Sequence, residues 1–178
     1  LGKNGRSIWQ KAQGVDHSRV MPYSEQKSMS QERTFGKDSS DIKTIKSYLV
    51  SLTERLCFKL RKQQKLTACV TVKIRYSDFD TQSMQCRIPY TSCDHVLIKH
   101  VKELFDKLYQ RRVLIRLIGV RFSHLVGGAY QINLFDDTEE MIKLYQSMDS
   151  LRQRFGEKKI QRAVSLPFRA YDVNPFKG

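Results

Sequence analysis

The chain has 178 residues, with 32 Lys and Arg against 18 Asp and Glu, a net charge of +14 and a pI near 9.8. Its 40% hydrophobic content is enough for one core of ordinary size plus extensions, while no run approaches the roughly 18 apolar residues of a membrane-spanning helix and no charged-then-apolar leader opens the chain. A soluble, cytoplasmic protein is expected, and the cation excess selects a polyanionic partner: nucleic acid first, an anionic membrane surface second.

In chain order, residues 1–16 precede a tether at 17–26, which carries Pro22 among scattered polar residues without a hydrophobic period. Residues 27–126 hold 20 Lys and Arg against 9 Asp and Glu, a net +11, so the binding face belongs to this stretch. Lys27 to Phe35 predicts a strand broken by Gly36, Lys37 and Asp38. Asp41 caps a helix over Ile42 to Gln63, where Ile42, Ile45, Leu49, Leu52, Leu56 and Leu60 form one apolar stripe. Leu66 to Phe79 then switches to period two, with Val70, Val72, Ile74 and Tyr76 alternating with Thr71, Lys73, Arg75 and Ser77. A turn at Ser77 to Thr81 closes a hairpin with a strand at Gln82 to Tyr90. Asp94 is expected to cap a second helix, striped by Leu97, Val101, Leu104, Phe105 and Leu108, and Leu114 to Val126 is the last strand. There Ile115 and Leu117 share one parity while Val120 and Phe122 share the other, which predicts a bulge near Gly119 that re-aims Arg116 and Arg121.

The order β-α-β-β-α-β is an α+β arrangement of the ferredoxin-like split kind: a four-stranded antiparallel sheet with two helices on one face and the other face open. Residues 138–178 add a helical extension, with Met141, Leu144, Tyr145, Met148, Leu151 and Phe155 at helical spacing to 155 and an irregular tail from Ile160. This terminal helix could pack on the preceding domain, self-associate or meet a partner.

Chemistry-bearing clusters are sparse. Cys57, Cys69, Cys86 and Cys93 form no CxxC pair and have no histidine at metal-site spacing, so reduced structural thiols are expected and no metal is assigned. Asp78, Asp80, Asp136 and Asp137 fall in turns rather than converging as a two-metal site would require. His17, His95, His100 and His124 lack a nucleophile motif, and Gly127-Gly128 reads as a hinge rather than a phosphate loop. The open sheet face is different: Ser28 and Ser30 share a parity of the first strand, Thr71, Lys73 and Arg75 occupy the polar parity of the second, and Arg116 and Arg121 stand on the last. These groups suit phosphate contacts, although polar alternation is also what any solvated sheet face shows.

Beyond the last strand comes Gln131-Ile132-Asn133-Leu134-Phe135, closed by Asp136 and Asp137. A glutamine amide beside a Leu-Phe pair resembles a sliding-clamp-binding peptide, with Gln131, Ile132, Leu134 and Phe135 as anchors over 127–137; the alternative is that Leu134 and Phe135 cap the core. Together with Lys27-Ser28-Met29-Ser30-Gln31-Glu32-Arg33-Thr34-Phe35 and Arg116-Leu117-Ile118-Gly119-Val120-Arg121-Phe122-Ser123, this peptide makes the chain resemble the C-terminal part of Y-family translesion DNA polymerases of the DNA polymerase IV type. The resemblance implies that 27–126 is the little finger that grips primer-template DNA. It likewise implies that 1–16 is the end of a thumb domain, similar through Leu1 to Arg6 and Trp9, and that the chain is a fragment. The palm with its Mg²⁺-binding carboxylates would then lie before Leu1, so no cofactor is expected here. Some relatives carry a second arginine where this chain has Leu117, so one phosphate contact is expected to be absent or displaced. The competing readings are an RNA-binding ferredoxin-like module, which would want stacking aromatics on the central strands, and a purely structural interaction domain.

Overall fold

Alternation in two strands decides the architecture. The structure, a computed structural model, describes residues 2–21, 25–128, 139–157 and 159–165. Its elements are α1 (Gly2–Ala12), β1 (Ser28–Ser39), α2 (Ile42–Lys62), β2 (Lys65–Tyr76), β3 (Thr81–Thr91), α3 (Asp94–Leu108), β4 (Ile115–Gly127) and α4 (Glu139–Phe155), followed by a 3-10 turn at Ala163–Ser165. The four strands form one antiparallel sheet in the order β1-β4-β2-β3. Val70, Val72 and Ile74 of β2 stand opposite Phe122, Val120 and Ile118 of β4. All six are buried, and they form one core with Ile45, Leu49, Leu56 and Leu60 of α2 and Leu97, Val101 and Phe105 of α3. Both helices therefore cover the same face, as the sequence predicts.

A ferredoxin-like sheet has β1 and β3 at its centre, whereas here they are the edges. Composition explains the placement: β1 and β3 are mostly polar, and only two residues in β3 and one in β1 are buried, while β2 and β4 carry the buried apolar sets.

Several local expectations are corrected. β1 runs through Gly36 to Ser39, and its pairing with β4 shifts register between Thr34 and Ser39. The bulge in β4 lies at Arg116 rather than near Gly119: Arg75 faces Leu117, but Tyr76 faces Ile115. Ile118, Val120 and Phe122 alternate without interruption, so only Ile115 has to be brought to the helix face, and one extra residue before Leu117 does this. Asp41 caps α2 as expected, accepting from the backbone N–H of Lys43 (3.0 Å) and Thr44 (3.3 Å). Asp94 does not cap α3. Cys93 occupies the cap position, where its side chain makes no capping hydrogen bond to the helix, and the Asp94 carboxylate is wholly buried and taken by Arg61 at 2.5 Å. Gly128 is not free-standing either, since its N–H donates to the Gln64 carbonyl (2.9 Å).

The terminal helix packs on the domain, but through only part of the stripe its spacing suggests. Leu144, Leu151 and Phe155 are exposed, while Tyr145, Asp149 and Arg152 are buried. Arg61 of α2 holds both sides together: Nε and Nη2 donate to the two Asp149 oxygens (2.6 and 3.0 Å), and Nη1 donates to Asp94 and to the Ser92 carbonyl (2.8 Å). Glu54 faces Arg152 (3.7 Å) and Arg162 (3.3 Å), and its burial pushes its carboxyl above the ordinary range. The segment after α4 is held to the domain through Arg162 and the buried Ser165. α1 buries no side chain, and its Ile8 and Trp9 are exposed.

A buried ion pair costs little when complete and much when broken, because the survivor is left uncompensated. Arg61→Met is expected to strand Asp94 and Asp149 and to lower stability by about 3–5 kcal/mol, read from the denaturant midpoint.

Candidate nucleic-acid interface

Strand pairing sets the open face. Opposite the buried parity, β1 contributes Ser28, Ser30, Glu32 and Thr34, β4 contributes Ser123, Arg121, Gly119 and Leu117, and β2 contributes Cys69, Thr71, Lys73 and Arg75. Ser28 faces Ser123, Ser30 faces Arg121, and Arg121 faces Thr71 across the next ladder. A shallow depression in this face is lined by Ser28, Ser30, Thr71, Lys73 and Arg121 together with Ser83 of β3. It offers four hydroxyl side chains on edge and centre strands and two cations, the donor types that meet phosphate oxygens. Arg121 is exposed.

Four of the six candidate residues, Ser28, Ser30, Lys73 and Arg121, are therefore brought together, and two are not. Arg75 is turned toward the hairpin, its Nε donating to Thr81 Oγ1 (2.9 Å). Arg116 sits on the bulge, with its guanidinium 4.7 Å above the Phe79 ring and 3.9 Å from Asp38. Leu117 is almost covered at 8% exposure. Sequence reasoning did not single out Glu32, although it shares the parity of Ser28 and Ser30; its Oε1 lies 2.9 Å from Lys73 Nζ. The outward residues of the central strands include no aromatic ring, which removes the stacking platform an RNA-binding sheet uses.

The β2–β3 turn closes one end of the face. Arg111 grips both of its carboxylates, at 2.8 Å from Asp78 and 2.7 Å from Asp80, and its guanidinium lies 5.0 Å from the Tyr76 ring centre. The backbone N–H of Asp80, then Arg111, holds the Asp78 carboxyl below its ordinary range. Phe79 between them has a positive φ of 65°, an uncommon conformation for a residue with a side chain. These aspartates are engaged in fixing a turn, and among the described residues no group of three His, Cys, Asp or Glu is placed to hold a metal ion. All four cysteines are free of disulfides. Residues 131–137, with the peptide Gln131, Ile132, Leu134 and Phe135, lie outside the described residues, and no described helix is long and apolar enough to cross a membrane.

A helix-backed antiparallel sheet with an open cationic face defines an α+β module suited to a polyanionic surface. Residues 26–134 match the impB/mucB/samB family C-terminal domain. The chain is 34% identical over 169 residues to DNA polymerase IV of Clostridium acetobutylicum, covering 92% of this chain and 42% of that protein. It is 32% identical to DNA polymerase IV of Desulfatibacillum aliphaticivorans, with 92% and 43% covered, and 35% identical over 132 residues to DNA polymerase IV of Staphylococcus aureus strain Newman, with 74% and 37% covered. A solved Y-family DNA polymerase chimera overlaps 71% of this chain and 36% of its own at a TM-score of 0.48 and 19% identity. This chain belongs to the impB/mucB/samB C-terminal domain family. It spans less than half the length of the curated relatives it matches.

Removing the Arg111 grip should free the strained turn without touching the core. Arg111→Ala is expected to speed amide exchange at Phe79 and Asp80 by about tenfold, with β2–β4 amides unchanged, measurable by hydrogen–deuterium exchange.

Proposed function

We propose that this chain is the DNA-gripping little finger of a translesion DNA polymerase acting in DNA repair and damage tolerance, and that it docks on a sliding clamp through residues 131–135. The observation that carries the DNA reading is the row of Ser28, Ser30, Thr71, Lys73 and Arg121 across three adjacent strands, on a domain of net +11. Hydroxyls and guanidinium groups on a sheet meet sugar-phosphate rather than base edges, so the grip is sequence-independent and tolerant of distorted primer-template DNA. Nucleotidyl transfer itself, with the Mg²⁺ it needs, belongs to the palm of the whole polymerase; the residues described here supply positioning. Docking rests on chemistry: Gln131 anchors by its amide, Ile132 and Leu134-Phe135 fill an apolar pocket, and the segment follows directly on β4 and precedes α4.

Binding of a primer-template duplex, followed by fluorescence anisotropy across a salt series, tests the first half. Log Kd should vary linearly with log salt, and Arg121→Ala should lower that slope by about one and weaken binding equally on unrelated sequences. Arg116→Ala should do less, because Arg116 is held by Asp38 and Phe79. An unchanged slope after Arg121→Ala would remove Arg121 from the interface.

For the second half, Leu134→Ala with Phe135→Ala should abolish binding to a purified sliding clamp while duplex affinity stays as it was. Clamp affinity equal to the parent's would rule out the peptide.

A further inference from the structure

The open face carries a carboxylate at its centre. Glu32 stands on the same parity of β1 as Ser28 and Ser30, directly opposite Gly119 of β4, and Lys73 of β2 is opposite Gly119 from the other side. Glu32 therefore reaches across a whole strand to set its Oε1 2.9 Å from Lys73 Nζ. A Cβ at position 119 would lie 2.9 Å from Glu32 Cγ, so glycine there allows this close approach, and a larger residue would push the Glu32 side chain aside. Both partners remain partly exposed, at 43% for Glu32 and 31% for Lys73, so the pair is accessible to a competing anion.

We propose that Glu32 is an internal competitor for phosphate that sets the strength of the grip. It occupies Lys73 in the free chain and has to surrender it when DNA binds; the inference rests on the DNA-gripping reading above. A carboxylate and a phosphate oxygen make the same kind of charge-assisted bond to an ammonium group. Exchanging one for the other gains little, and the displaced carboxylate then faces the DNA backbone as a like charge. Arg121 has no such resident partner among the described ion pairs and keeps its full attraction for phosphate. The face is therefore firm at Arg121 and yielding at Lys73. Such a surface holds a duplex yet lets its phosphates pass one after another as the duplex advances.

Glu32→Gln is the informative change, since the isosteric amide still covers Gly119 while losing its charge. In duplex titrations with the full chain, Glu32→Gln should lower Kd by about three- to tenfold near 0.1 M salt, and steepen the salt slope by about one. Adding Lys73→Gln to that variant should return both toward the parent values. If the parent binds DNA and Glu32→Gln leaves Kd and slope unchanged, or weakens binding, Glu32 only props Lys73 and the proposal fails alone. If neither protein binds duplex at low salt, the DNA-gripping reading fails and takes the proposal with it.

Discussion

The antiparallel pairing of β2 with β4 is the constraint from which the rest follows. Because side chains alternate, seating Val70, Val72 and Ile74 against α2 and α3 obliges Thr71, Lys73 and Arg75 to face away. The same ladder places Ile118, Val120 and Phe122 inside and Arg121 outside. A slip of one residue would bury the cations and expose the core, so the strength of the core is also what guarantees the position of the charges. The bulge at Arg116 keeps this bargain at the strand's start. It admits Ile115 to the core and re-aims Arg116 toward Phe79 and Asp38.

On the other side of the sheet the helices do more than fill space. Arg61 and Glu54 leave the apolar stripe of α2 and receive Asp149, Arg152 and Arg162 from the C-terminal extension. Tyr145 packs beneath Arg61, 4.9 Å from its guanidinium, and its hydroxyl lies 2.7 Å from His95 Nδ1. Burial pushes the Tyr145 phenol up to about 12, so it stays neutral and able to hydrogen-bond there. Charged contacts of this kind specify a single docking geometry, because any other leaves a buried charge unpaired. An apolar stripe would have been more permissive. The outward face of α4, with Leu144, Leu151 and Phe155, is left exposed by this choice.

On the open face the balance of charge is local. A domain with a net charge of +11 suggests a uniformly attractive surface, yet several of its cations have partners: Lys73 has Glu32, Arg111 has Asp78 and Asp80, and Lys46 has Asp106 at 2.6 Å. On the proposed reading, net charge would bring DNA near, and the residues left without a competing carboxylate would decide where it is held. The ion pairs thus distinguish cations that already have a carboxylate partner, such as Lys73, from Arg121, which has none among the described ion pairs.

The sequence alone determined the order of the elements, because period-two and period-3.6 patterns are local properties of consecutive residues. The stripe of α2, the stripe of α3 and the two-faced character of β2 were all legible in this way, and so was the parity that unites Ser28 with Ser30. The tertiary structure decided what depends on residues far apart in the chain. Whether Asp94 caps a helix or binds Arg61, 33 positions away, is a competition that no local pattern records. The same holds for Glu32 and Lys73, 41 positions apart, and for Asp149, whose partner Arg61 lies 88 positions earlier. Polar residues in particular resist local reading: a charge run looks the same whether it meets solvent or a buried partner, and only the packed fold supplies the partner.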